Sequence, residues 1–206
     1  LGMIVMMAIV EKITRHNLDN ISSRYFFRPL GMSSTSYNPL NSKIDLIVPT
    51  EYDDNYRKRL IHGEVHDENA WMMGGVSGHA GIFSTSKDIG IMMQMFNNEG
   101  LWLGRRYFKS TLIDQFTKRQ NHNFETDRAL GFDKPSINGK SSAGDYLSDN
   151  SFGHLGFTGT SVWSDPDNNL IIILLTNRVH PSREKGGIYQ VRRDFYNEVS
   201  SLLIGE

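Results

Sequence analysis

The chain has 206 residues, 38% hydrophobic, 11% aromatic and 22% charged, a balance that suits one globular domain and excludes a disordered polymer. A formal net charge of −1, with basic residues densest only at Arg57-Lys58-Arg59 and Arg192-Arg193, excludes the electrostatic footprint of a nucleic-acid binder. With no cysteine there is no disulfide, no thiolate metal site and no thiol nucleophile.

Leu1 to Thr14 (LGMIVMMAIVEKIT) is apolar on nearly every face over its first ten residues, the pattern of a helix buried in a core. It falls short of the roughly 20 residues that cross a bilayer and lacks the basic start and cleavage site of a signal peptide. A buried helix at the first residue needs protein to bury it, and the chain starts with Leu. A fragment or processed product is therefore expected, with a missing N-terminal segment of the same protein as its natural partner. Exposed apolar surface and an unpaired sheet edge would then favour a homodimer.

Asn17-Leu18-Asp19 offers caps for a second helix to about Phe27, ended by Pro29 and Gly31. Ser33 to Asn55 is polar, holds Pro39 and Pro49, and reads as an extended surface excursion. Gly74 to Gly81 is a glycine-rich loop. Thr85 with Asp88 three residues later has the form of a capping box for a helix to about Asn97, stopped by Asn98 and Gly100. A short helix is expected from Lys109 to Lys118, then polar loops at Asn121 to Arg128 and Asn138 to Asn150 around a strand near Gly131 to Pro135.

The last third is the clearest. Strands at 152–157, 159–164 and Leu170 to Thr176 read as an antiparallel meander, the third buried on both faces. A helix from about Lys185 to Ile204 follows, with Ile188, Val191, Phe195, Val199 and Leu202 or Leu203 as the stripe that covers the sheet. Within the first strand, Gly153, Gly156 and Gly159 recur at every third residue around His154, Thr158 and Thr160. Glycine inside a strand marks a bulge or the close approach of another chain or a ligand. A core histidine on a bulged strand is the plainer alternative. The methionines at 6, 7, 72, 73, 92, 93 and 95 read as core filler, and Trp71 and Trp102 as packing residues.

Several short elements together resemble the serine β-lactamase and penicillin-binding-protein-like superfamily, in the branch where Lys-Thr-Gly is replaced by His-x-Gly, here His154-Leu155-Gly156. They are Leu1-Gly2 with the helix after it, Pro29-Leu30-Gly31-Met32, His66-Asp67-Glu68-Asn69, Gly78-His79-Ala80-Gly81-Ile82-Phe83-Ser84-Thr85, Gly156-Phe157-Thr158-Gly159-Thr160 and Thr176-Asn177-Arg178. None is specific alone, but their order and spacing span almost the whole chain. The resemblance implies an α+β fold of the β-lactamase and transpeptidase type: one incomplete domain, helical and loop-rich to about residue 128, then a partial antiparallel sheet packed by a C-terminal helix. It implies acyl transfer through a serine, no cofactor, a small-molecule or peptide substrate and a periplasmic or otherwise extracytoplasmic setting, by likeness alone.

By the same resemblance His154 orients the substrate carboxylate or carbonyl, Gly156 keeps the strand open and the Phe157 backbone N–H is an oxyanion donor, with Thr158 lining the substrate. His66, Asp67 and Asn69 would brace a loop at the site's edge. The family's S-x-x-K and Tyr-x-Asn elements, however, have no counterpart in matching positions, so the chain alone is expected to be inactive. Ser84-Thr85-Ser86-Lys87 and Ser182-Arg183-Glu184-Lys185 fit S-x-x-K by letter, about as often as chance allows. Ser84 is the better candidate, opening a helix with Lys87 about one turn along, but the resemblance treats that segment as a capped helix start. Ser148-Asp149-Asn150 copies S-D-N too close to His154 in sequence to be the family's element. Two other readings remain: a non-catalytic module that binds peptidoglycan-like ligands, and a zinc hydrolase built on His62, His66 and His79 with Asp67. No metal is expected in the main reading.

Overall fold

A computed structural model describes residues 1–120, 126–139 and 141–204. Helices alternate with short antiparallel sheets, as expected for an α+β fold. Two compact units result, Leu1–Ile91 with Asn177–Lys185 and Met92–Thr176 with Gly186–Glu206. Among the described residues no helix is long and apolar enough to cross a membrane.

In the first unit α1 (Gly2–Thr14) has no buried residue, against the expectation of a core helix. Met3, Val5, Met6, Ile9 and Ile13 are exposed, while Ile4, Met7 and Val10 form one half-buried face. The Met3 carbonyl and the Met7 Cβ lie against Gly78. Apolar composition supplies the driving force, but burial needs a covering element, and the glycine loop covers only one side.

Asn17 caps α2 (Leu18–Ser22) by accepting the Asn20 N–H at 2.9 Å. The helix does not stop at Phe27: it passes through a π-helical turn, Ser23–Phe27, into α3 (Arg28–Leu30). Such a turn is the irregularity that accommodates a proline, here Pro29, inside a helix. Gly31, at φ 81°, then ends it, with Gly31 N–H donating to Arg28 O and Met32 N–H to Phe27 O.

The polar stretch from Ser33 is pinned down rather than a free excursion. Ser34 N–H and Thr35 Oγ1 both donate to Asp88 Oδ2, at 2.7 and 2.8 Å. Beyond β1 (Ser36–Tyr37) and a 3-10 turn at Asn41–Leu46, β2 (Tyr52–Asp53) pairs with β3 (Arg59–Leu60). Next come α4 (Glu68–Met72) and β4 (Ile82–Phe83), which pairs with β1, Ser36 opposite Phe83. Helix α5 (Ser86–Asn97) starts with half of the expected capping box. Asp88 N–H donates to Thr85 Oγ1, but the Asp88 carboxylate serves Ser34 and Thr35 instead of returning to the cap.

In the second unit α5 ends as expected, Gly100 N–H closing onto Met95 O. A hairpin of β5 (Leu101–Trp102) and β6 (Arg105–Arg106) precedes α6 (Ser110–Thr117). Of the two expected polar loops, residues 121–125 and 140 lie outside the described residues. The strand expected near Gly131 to Pro135 reduces to two isolated bridges of Asp133, one with Arg128 and one with Gly153, and Asp133 and Gly153 exchange both backbone hydrogen bonds.

The main sheet is β7 (Phe152–Leu155), β8 (Ser161–Asp165) and β9 (Leu170–Leu174), antiparallel and in that order. Gly153, Trp163 and Ile172 stand side by side, as do His154, Val162 and Ile173. Only Ile172 of β9 is buried, because β8 and not β9 occupies the centre.

Helix α7 (Ile188–Ile204) covers the face of Trp163, Ile172, Leu155, Leu170 and Leu174 with Phe195, Tyr196 and Val199. The expected stripe is rotated: Val191, Leu202 and Leu203 are exposed, and the fully buried row is Arg192, Tyr196 and Ser200. Tyr196 Oη donates to Ser161 Oγ at 2.9 Å, so a polar tip is satisfied inside the core. On the opposite face Phe152 packs edge-on against Phe132 and Phe96, and Ser164 Oγ donates to Asn97 Oδ1. Of the expected methionine filler, Met93 and Met95 are buried, whereas Met6, Met72 and Met73 are exposed.

Gly153 shows how tightly this sheet is packed. A Cβ there would meet the Trp163 ring at 2.7 Å and collide with the Val162 carbonyl. Gly153→Ala should therefore lower the unfolding free energy of the second unit by about 1–3 kcal/mol, as overpacked core positions do. An unchanged midpoint in urea denaturation followed by Trp fluorescence would contradict this packing.

Candidate functional site

His154 lies in β7, one residue before its end, on the sheet face opposite α7, and is exposed, not a core histidine. Its Nδ1 lies 2.9 Å from Leu155 O. A carbonyl only accepts, so Nδ1 carries the proton and Nε2 is the nitrogen left to meet a ligand. In the neutral ring Nε2 accepts a hydrogen bond; in the imidazolium it donates to a carboxylate.

The turn that follows is held from within. Gly156 N–H donates to Thr160 O at 2.7 Å and Gly159 N–H to Gly156 O at 3.1 Å. Thr176 Oγ1 donates to Gly159 O at 2.7 Å. From α7, Arg192 Nη2 donates to both Gly156 O and Thr160 O at 2.7 Å each. Phe157 is 59% exposed at the tip, beside the half-buried Thr158.

The three glycines have internal causes. Gly153 makes room for Trp163, a Cβ on Gly156 would collide with Thr160 Oγ1, and Gly159 has φ 115°, a conformation that side chains disfavour. Gly156 thus has a packing reason of its own within the hairpin.

In the first unit, His66 is buried and its Nε2–H donates to Glu51 Oε1 at 2.9 Å. Glu51 also accepts from Arg183 N–H at 2.9 Å and Arg183 Nε at 2.6 Å, and Arg183 reaches Glu68 as well. Burial pushes the Glu51 carboxyl up, but the bonds from Arg183 and His66 outweigh it and hold it below the usual carboxylate range. Arg57, itself paired with Asp53, donates to Val65 O and His66 O at 2.7 and 2.8 Å. The guanidinium thereby fixes the backbone that carries His66.

Asp67 caps α4 through Ala70 N–H at 2.8 Å and accepts from His79 Nε2 at 3.0 Å. Its carboxyl is raised by burial yet held low on balance by Ala70 N–H and His79. The expected bracing is carried by His66 and Asp67, while Asn69 is exposed on α4. Ser77 Oγ donates to His79 Nδ1 at 2.8 Å, which completes a Ser-His-Asp line. Ser77 is only 1% exposed, so no substrate reaches that hydroxyl and the line serves the glycine loop.

The zinc reading fails on geometry. His62 Nε2–H donates to Ile47 O, His66 to Glu51 and His79 to Asp67, and among the described residues no group of three His, Asp or Glu can hold a metal.

The literal motifs are also engaged elsewhere. Ser84 Oγ is bonded to Thr35 Oγ1 at 2.7 Å, and Lys87 is exposed. Ser182 Oγ accepts Glu184 N–H while Lys185 Nζ donates to His180 O. Ser148 bonds through both N–H and Oγ to the fully buried Asp165. Burial raises the Asp165 carboxyl, but Ser148 and Asn168 donate enough to hold it low.

Sequence reading passed over Glu51, Arg57, Arg183 and Arg192. For Arg192 a signal existed: it sits between Ile188 and Phe195, Tyr196 at helical spacing, a charge inside an apolar stripe. Glu51 and Arg183 are joined across 132 residues of chain, whereas Arg57 meets Asp53, Val65 and His66 within nine residues, in a loop with no periodic pattern to mark it.

A β-lactamase family model matches residues 1–195. Among curated proteins, a "Putative D-alanyl-D-alanine carboxypeptidase" of Salmonella gallinarum is 37% identical over 189 residues, covering 84% of this chain and 43% of the relative. The chain thus spans less than half the length of the curated relatives it matches. A β-lactamase structure from Mycobacterium bovis superimposes with TM-score 0.67 at 16% identity, covering 98% of this chain and 61% of that one. A penicillin-binding protein homologue from Caulobacter crescentus gives 0.60 at 14% identity, covering 83% and 49%. These two likenesses concern the fold.

Proposed function

The chain belongs to the β-lactamase family, and on that premise we propose that it is the C-terminal part of a serine hydrolase that cleaves a D-alanyl-D-alanine-type amide through an acyl-serine. The observation that carries this reading is the exposed His154 beside a rigidly held turn, on the face of β7 opposite α7. His154 Nε2 orients the substrate carboxylate or carbonyl, the Phe157 backbone N–H donates to the developing oxyanion, and Thr158 and Phe157 line the substrate. The relatives' name supports the substrate class. Such a substrate is met outside the cytoplasm, which is where we place the protein's work.

The nucleophile and its base lie in residues outside this chain. Ser84, Ser148 and Ser182 are each tied to other partners, which supports that reading. A hydroxyl without an adjacent base is a poor nucleophile at neutral pH. Labelling with a fluorescent penicillin or fluorophosphonate tests it: the 206-residue chain should stay unlabelled while the whole protein takes up label at an upstream serine. Label on the chain itself would overturn the assignment, and a whole protein that never labels would favour a ligand-binding role.

A further inference from the structure

We propose that Arg192 is a positioning residue for the oxyanion donor, acting through the Gly156–Phe157 peptide. The inference rests on the assignment of the Phe157 N–H as that donor. Arg192 lies on α7, on the side of the sheet away from His154, and is 6% exposed. It spends one guanidinium nitrogen, Nη2, on two carbonyls, Gly156 O and Thr160 O, both at 2.7 Å. Burying a permanent charge is costly unless it is hydrogen-bonded, so its location at this turn calls for a reason.

The geometry supplies one. Among the described residues the only cis peptide is His180–Pro181, so the Gly156–Phe157 peptide is trans and planar. Its C=O and N–H therefore point in opposite directions. With the Gly156 carbonyl drawn toward α7 by Arg192, the Phe157 N–H is directed to the opposite side of the turn, the side of His154. A charged donor on the carbonyl also polarises the peptide and makes its N–H a stronger donor. The second bond, to Thr160 O, fixes the other end of the turn, and Thr176 holds Gly159 O between them. Arg192 thus aims and strengthens the donor from behind without touching substrate.

Two readouts test this in parallel. In the 206-residue chain, Arg192→Met should move the Phe157 amide proton upfield in ¹H–¹⁵N spectra by a few tenths of a ppm, with Arg192→Lys in between. In the whole protein, Arg192→Met should lower kcat per penicillin-titrated site about tenfold, with KM nearly unchanged and partial rescue in Arg192→Lys. A role confined to stability would lower the melting temperature and the titrated fraction but leave kcat per site and the Phe157 shift intact, and that result overturns the proposal. If the wild-type whole protein neither labels nor hydrolyses, the functional assignment fails, and the amide shift alone decides whether Arg192 polarises the peptide. Should Arg192→Met not fold, Arg192→Lys decides, because it keeps the charge but not the reach and planar geometry that bring Nη2 to both carbonyls: a smaller upfield shift and a smaller loss of kcat per site support the proposal, and no change in either overturns it.

Discussion

Trp163→Ala is expected to lower the unfolding free energy by about 3–5 kcal/mol, the range for truncating a large aromatic in a packed core. Trp163 is 1% exposed at the centre of β8, between Gly153 and Ile172, under Tyr196 of α7. Its removal leaves a hole bounded by three strands and a helix, which the regular sheet cannot collapse to fill. The same ring is what Gly153 makes room for, so the segment leading to His154 loses its support as well. Denaturant titration with intrinsic fluorescence of the remaining tryptophans measures the loss. A change below about 1 kcal/mol would mean the ring is not the keystone of this sheet.

In the first unit the largest loss is expected from Asp53→Ala. Asp53 and Arg57 form an ion pair at 2.6 Å, both side chains almost wholly buried. Removing one partner of a buried pair leaves an uncompensated charge and costs about 3–5 kcal/mol. Arg57 would also loosen its grip on Val65 O and His66 O, so the Glu51–His66 bond should weaken in the same variant. Burial raises the Asp53 carboxyl, but Tyr56 N–H, the Arg57 side chain and Asn55 N–H overcome it and hold the group far below the usual range. A folded pKa below the unfolded value means stability that is fully present above about pH 4 and lost as the pH falls toward the folded value. Urea midpoints recorded from pH 7 down to pH 2 should fall steeply in the wild type and far less in Asp53→Ala. Parallel slopes for the two would contradict the assignment.

Where sequence patterns were local, they were legible. The caps at Asn17 and Thr85, the stops at Gly31 and Gly100 and the helix at Ser110–Thr117 all follow from neighbours within a turn of each other. The three strands of the meander and their order were legible for the same reason. Burial was not. The apolar run of α1 is exposed, and Leu170–Leu174 lies at the edge of its sheet among the described residues. The buried row of α7 runs through an arginine, a tyrosine and a serine. In each case the pattern stated which residues avoid water, but a neighbouring element decided which of them escape it.

The candidate site divides along the same line. His154 and its turn could be singled out from glycine spacing around one imidazole, since that arrangement lies within eight consecutive residues. Their reasons could not, because Trp163, Thr160 and Arg192, which account for the glycines and hold the turn, reach it across strand pairing and from α7. Glu51, His66 and Arg183 meet over more than a hundred residues of chain. From sequence alone came the family, the α+β class and the segment that carries the exposed His154, since these depend on order and short-range periodicity. Tertiary structure alone decided which polar groups are partnered, because a buried charge survives only where distant chain brings it a hydrogen bond.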